Sequence, residues 1–300
     1  MVWYDQWTAG DTGDYIHIAT YDSGSDAIWY NRLDTASDTL LMGSSPVNAS
    51  TNSGQGGSFA SGANKPSIAK GTDGTVYVAI ADNTDSFVIE CSASCNNTTG
   101  WTETGTSPLD ATPDWPYLLP LSGGDILLIN RDVSTNDLES KVWNNSSWDA
   151  TFTSIDINAP ENSTYDVGMA AVYNPNTDEV YLAYAADNAT LGTDNDIRTA
   201  VYSSGSWTSG PDILTDDARG VLQVAMSIDE NTDDIYVAYT IGTGTTHDVY
   251  WASSTSAFNS WGAEQGPVNA SSDNIYGIDL NYLDDQRMFV SWYEASTDGM

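Results

Sequence analysis

Short runs rich in β-branched and aromatic residues recur along this chain: YIHIAT (15–20), VYVAI (76–80), ILLIN (126–130), VYLAY (180–184), IYVAY (235–239) and MFVSW (288–292). Their starts are 61, 50, 54, 55 and 53 residues apart. Each follows a turn dense in Asp, Asn and Gly, such as GTDG (71–74), SGGD (122–125) or NPNTDE (174–179). A further short apolar strand precedes that turn, as in YLLPL (117–121) and LQVAMSI (222–228). Downstream, Asp26, Asp85, Asp137, Asp196 and Asp248 each stand before a third strand. GWTETG (100–105), SWDATF (147–152), SWTSGP (206–211) and SWGAEQG (260–266) then supply a fourth that opens on tryptophan. The aspartate before the third strand is expected to close an Asx turn on backbone amides.

Four short strands in every interval of about 50 residues, with no helical periodicity between them, predict an all-β chain, a β-propeller of four-stranded antiparallel blades. One such sheet has two bare faces and two bare edges; radial packing covers the faces and leaves only short edges. The repeated Tyr, Ala and Trp positions are then expected between blades. Five units are complete, and the sixth stops at EASTDGM (294–300), where its third strand should begin. The segment VWYDQWTAG (2–10) reads either as an inner first strand or as the missing third and fourth strands. The expectation is one six-bladed propeller over residues 1–300, five complete repeats plus a partial one, excerpted from a longer surface protein.

Charge narrows the partners. The chain carries 42 acidic against 8 basic residues, a net of −34, and its only lysines are Lys65, Lys70 and Lys141. Nucleic acids and anionic lipids both need basic groups to displace counterions, so neither is an expected partner. Self-repulsion at this charge opposes compaction at low salt. An Asp-rich, Lys-poor exterior therefore suits a saline, halophilic setting. No run of 18 apolar residues is present, which predicts no direct membrane insertion through a helix. The start, MVWYDQWTAG, has neither the basic nor the apolar region of a signal peptide.

Other features place the chain outside a cell, on a cell surface or on a virion. Asn48, Asn96, Asn97, Asn144, Asn145, Asn162, Asn188 and Asn269 each begin an N-glycosylation sequon. Cys91 and Cys95 lie about 13 Å apart if CSASC is extended, too far to bridge, but a tight turn brings them into disulfide range. Two thiols without a nearby histidine are too few for a metal site. His17 and His247 are isolated and read as structural. No cofactor is required by any motif, while DTGD (11–14), DNTD (82–85) and TDND (193–196) offer hard oxygen ligands for Ca²⁺.

The line DVYWASSTSAFNSW (248–261) keeps Asp248, Ser254 and Trp261 in the order used by Asp-box repeats, although the Asp and Gly of the box are missing. NRLDTASDTL (31–40) keeps Asp34 and lacks the tryptophan; VYSSGSW (201–207) shortens the hairpin. On these residues the chain resembles the sialidase-like, Asp-box propellers over nearly its whole length. That resemblance implies a ligand face built from the loops between second and third strands and between successive blades. Sialidases of the group place three arginines, a Tyr–Glu pair and an acid there. Mapped onto this chain, the face gathers Asp114, Trp115, Arg131, Tyr165, Arg198, Arg219 and Tyr276, with Trp115 as an exposed ring for stacking on sugar. Arg32 and Arg287 map to the opposite face. The family's Arg-Ile-Pro context is absent and no Tyr–Glu pair is evident, so no catalytic residue is assigned.

The expected function is non-enzymatic recognition or adhesion through a glycan or a surface protein. A divergent sialidase-like glycoside hydrolase is the alternative. A structural subunit of a virion, surface layer or filament, assembled into a larger structure, is the third reading.

Overall fold

The computed structural model describes residues 2–4, 14–22, 24–51, 66–81, 86–105, 109, 113–132, 134–156, 168–188, 193–215, 219–243, 246–254, 258–268, 274–283 and 287–295. These form strands, turns and two single-turn 3₁₀ segments. The chain divides into two compact units, 1–157 and 158–300, each built from three antiparallel sheets.

In the first unit, sheet one runs β1 (Val2–Tyr4), β2 (Tyr15–Asp22), β3 (Ala27–Asp34) and β4 (Thr39–Leu40), with β5 (Val47–Asn48) also on β3. Sheet two is β6 (Ser67–Lys70), β7 (Val76–Ala81), β8 (Ser86–Cys91) and β9 (Thr102–Glu103). Sheet three is β10 (Pro113–Pro120), β11 (Ile126–Asp132), β12 (Asp137–Trp143) and β13 (Thr153–Asp156). In the second unit, sheet four is β14 (Met169–Asn174), β15 (Glu179–Asn188), β16 (Thr193–Ser203) and β17 (Ser206–Ser209). Sheet five is β18 (Gly220–Asp229), β19 (Asp234–Thr243) and β20 (Thr246–Ser254), and sheet six is β21 (Asn274–Leu283) with β22 (Arg287–Ala295). Outside β20, bridges Ser254↔Trp261 and Trp251↔Gln265 put 261–265 in the fourth position without a regular strand.

All six recurrent apolar runs fall in the second strand of a sheet, and strand order within each sheet follows the chain, as expected of propeller blades. Val2–Tyr4 pairs with β2, so the N-terminal segment supplies an inner first strand to sheet one.

Strand periodicity explains the cores. Side chains alternate between faces, so a central strand covered on both sides is apolar throughout. Every residue of β7 is buried. Val76, Val78 and Ile80 pack with Ile28 and Tyr30 of sheet one, whereas Tyr77 and Ala79 pack with Leu118, Ile126 and Leu128 of sheet three. In the second unit, Ile235, Val237, Tyr239 and Ile241 of β19 join Tyr181, Ala183 and Ala185 of sheet four. Ala238, with Tyr236 packed alongside, faces Leu280 and Val290 of sheet six.

Polar links repeat between neighbours. The amide of Leu118 donates to Ser67 Oγ of the preceding sheet at 2.9 Å, and that of Tyr282 to Ser227 Oγ at 2.7 Å. Further out, Trp148 Nε1 donates to the Thr104 carbonyl at 3.1 Å, and Trp261 Nε1 to the Pro211 carbonyl at 2.9 Å. Trp148 and Trp261 thus hold the outer rim of the blade before them.

The turn chemistry differs from expectation in one respect. Several carboxylates that cap amides two residues on end a strand: Asp22 accepts from Gly24 N and Asp132 from Ser134 N. Asp26, before the third strand, instead sits at φ +48° and accepts from Tyr21 Oη.

Candidate functional site

Sheet five presents a compact polar cluster beside an aromatic ring. Tyr239 of β19 and Tyr250 of β20 are directly opposed, so their rings lie on the face turned to sheet four, 6.4 Å apart and nearly parallel. Tyr239 is fully buried, while Tyr250 is partly open. Segment 261–268 returns along the outside of β20, tied by mutual bonds between Trp251 and Gln265 and by Val268 N to the Val249 carbonyl. Gly266 makes that approach feasible: φ is +131°, and an added Cβ would fall 2.9 Å from the Tyr250 ring. The result is to bring Glu264 over Tyr239, whose hydroxyl donates to Glu264 Oε2 at 2.8 Å.

Arg219, one residue ahead of β18, completes the cluster. Its Nη2 lies 3.1 Å from Glu264 Oε1 and 3.3 Å from Oε2, and its guanidinium carbon stands 5.0 Å from the Tyr250 ring centre. The Arg219 and Glu264 side chains are 29% and 30% exposed. An ion pair this open stabilises the fold by only about 0–1 kcal/mol. Its value is in pre-orientation: a planar donor and a carboxylate acceptor are held side by side on a flat aromatic face. That combination can give and take hydrogen bonds with adjacent hydroxyls.

The other residues expected at the ligand face fare differently. Arg131 is 1% exposed; its Nη2 donates to Asn136 Oδ1 at 2.5 Å and its guanidinium carbon is 5.4 Å from the Trp115 ring centre. Trp115, expected as an exposed stacking ring, is only 6% exposed. It lies in an irregularity of the β10–β11 pairing with φ +49°, and a bulge of this kind re-aims its side chain. Arg131 and Trp115 therefore form a buried cation–aromatic contact in sheet three. Arg198 is held by Asp196 at 3.5 Å, so Arg198 and Arg219 serve separate carboxylates. The backbones of Asp114 and Tyr276 lie opposite Arg131 and Tyr293, and their side chains, like all of Tyr165, fall outside the described residues.

Cys91 and Cys95 form a disulfide with Cα atoms 5.7 Å apart. Asn96, Asn97, Asn144 and Asn145 are exposed on turns, whereas Asn48 is half-buried and accepts from Ser50. Asn162, Asn269 and the Asn188 side chain lie outside the described residues. Among the described residues no group of three or more His, Cys, Asp or Glu could hold a metal ion. Residues 11–13 of DTGD, all of DNTD and most side chains of TDND lie beyond them.

No protein-family model matches the chain, and no curated protein matches it by sequence. Solved structures do. The fucose-specific lectin from Aleuria aurantia superposes with a TM-score of 0.56 at 14% identity, over 94% of this chain and 84% of that one. A second structure of that lectin, described as a six-bladed β-propeller with a novel fucose recognition mode, gives 0.52 at 13%, over 97% and 86%. The polysaccharide lyase Uly1 gives 0.55 at 11%, over 96% and 78%. The Hadza microbial sialidase Hz136 gives 0.51 at 13%, over 83% of this chain and 51% of that chain. At such identities the likeness concerns the fold. The chain is an all-β propeller of antiparallel blades.

Proposed function

We propose that this protein is a carbohydrate-recognising propeller, acting outside a cell or on a cell or virion surface in a saline medium, with Arg219, Glu264 and Tyr250 as a sugar-binding site. One observation carries the reading: a half-open Arg–Glu pair is fixed from below by a buried tyrosine hydroxyl and backed by an aromatic ring. The ligand that suits it is an uncharged, hydroxyl-rich sugar unit, because the guanidinium charge is already matched by Glu264. Glu264 accepts from both Arg219 and Tyr239, which favours an orienting role over proton transfer or nucleophilic attack. The disulfide favours an oxidising compartment, and sequons on exposed turns accord with it. Display in many copies would give a weak site useful avidity.

A glycan array probed with the folded protein in high salt, alongside Glu264→Gln and Arg219→Ala, tests this. Binding to a set of neutral glycans, reduced at least tenfold in both variants with near-ultraviolet circular dichroism unchanged, is expected. Silence across the array, binding indifferent to both substitutions, or turnover of a bound glycan by the native protein but not by Glu264→Gln would each overturn it.

A further inference from the structure

An open depression of about 580 Å³ lies on sheet one, lined by Thr20 and Asp22 of β2, Trp29 of β3, and Ser44, Ser45 and Pro46 ahead of β5. Thr20 and Trp29 are directly opposed, and Asp22, two residues past Thr20, shares their face. It is the face opposite to Ile28 and Tyr30, which pack with residues of sheet two.

Its walls are fixed by hydrogen bonds. Trp29 Nε1 donates to Ser25 Oγ at 3.2 Å, and that hydroxyl donates to Asp22 Oδ2 at 2.7 Å. Asp22 Oδ1 accepts from Gly24 N at 3.0 Å. Indole and carboxylate are thereby held in a set relation across the β2–β3 hairpin. Asn31, two residues beyond Trp29, secures the opposite wall: its Oδ1 accepts from Met42 N at 3.3 Å and its Nδ2 donates to the Gly43 carbonyl at 3.2 Å. Ser45 N closes that turn on the Met42 carbonyl at 3.0 Å.

Charge then decides what suits the place. Trp29 is partly open and Asp22 is exposed. The Ser25 hydroxyl first, and the Gly24 amide second, hold the Asp22 carboxyl below the usual carboxylate range, so it is ionised at neutral pH. A carboxylate offers about four acceptor positions, and the bonds to Gly24 and Ser25 leave room for a donor from outside. An ammonium group makes a charge-assisted hydrogen bond to such an oxygen, and the face of an indole attracts the same cation. The net charge of −34 draws small cations towards the whole surface; here a ring and hydroxyls select among them.

We propose that this depression binds one amino-sugar unit, with its protonated amine on Asp22, its ring against Trp29 and its hydroxyls on Thr20, Ser44 and Ser45. The volume lies within the usual span of small-ligand sites, about 300–1,000 Å³. Its ligand differs from that of Arg219 and Glu264, where the charges are already matched and a neutral sugar is expected. The two sites lie in different units, and neither needs the other.

Calorimetric titration at about pH 6 and 0.3 M salt, where the amine is charged and long-range attraction is damped, compares glucosamine, N-acetylglucosamine, glucose and ethanolamine. Glucosamine should bind at least tenfold tighter than N-acetylglucosamine and glucose, and at least threefold tighter than ethanolamine. Asp22→Asn keeps the turn, since asparagine also accepts from the amide two residues on, and should abolish the preference for glucosamine over N-acetylglucosamine. Trp29→Leu should remove the advantage over ethanolamine. Ser45→Lys sets a competing cation on the exposed rim and should weaken glucosamine binding at least fivefold. Neutral-glycan binding on the array should survive all three changes. Equal affinity for glucosamine and ethanolamine, which a general attraction of cations to an acidic chain would give, equal affinity for glucosamine and N-acetylglucosamine, or affinities indifferent to Asp22→Asn and Ser45→Lys would overturn the proposal.

Discussion

Aspartate outnumbers glutamate in this chain 34 to 8, and the turns show one reason. Asp34, Asp73 and Asp229 accept from the amides of Ala36, Thr75 and Asn231, each two residues on, and Asn144 and Asn174 do the same. The shorter side chain reaches its own backbone at that distance. Glu90 shows the opposite situation. It is half-buried on β8; burial first, and the charge of Asp73 second, raise its carboxyl pKa. A raised folded-state pKa stabilises fully below the unfolded value, and that contribution is lost as pH climbs through the folded one. Glu90→Gln should therefore raise the melting temperature at pH 7 relative to the native chain and change it little at pH 4. Thermal denaturation at both values checks this; a lower melting temperature at pH 7 would contradict it.

At the scale of strands, Trp148 and Trp261 join blades through an indole hydrogen bond, and each also touches a ring of its own blade. Trp148 touches Trp143 at 5.6 Å between ring centres while its indole N–H reaches Thr104 in the sheet before. Trp148→Phe keeps the ring and drops the bond, so unfolding in urea should show a loss of about 1 kcal/mol. Trp148→Ala removes both, and the expected loss is about 3 kcal/mol. Equal losses would mean that the ring contact contributes nothing, and no loss in Trp148→Phe would mean the same of the hydrogen bond. The second strands were legible because apolar runs between Asx-rich turns need no tertiary context. The same is true of the tryptophans as packing residues, although not of their partners, which lie 44 and 50 residues back. Trp115 misled because strand parity fails at a bulge. Glu264 was hidden for a related reason: the fourth position of sheet five holds only isolated bridges, so no alternation announces which way its side chains point.

For the molecule as a whole, net charge is the dominant long-range term. At pH 7 the chain carries −34, and its pI is about 4.1. Repulsion among so many carboxylates favours expanded states. Its reach follows the screening length, about 10 Å at 0.1 M salt and about 3 Å at 1 M. Folding should therefore gain stability steeply as salt first rises and then level off, since little repulsion is left to screen. The melting temperature at pH 7 should climb by at least about 5 °C between 0.05 and 1 M sodium chloride, with most of the rise below about 0.5 M. Close to pH 4.5 many carboxylates are protonated, and the same titration should be much shallower. General salting-out would instead give a roughly linear rise, similar at both pH values, because it acts through the surface excluded from salt and not through charge. Scanning calorimetry over the two salt series separates these outcomes, and a flat response at pH 7 would show that the acidic groups are spaced widely enough to make salt unnecessary for the fold.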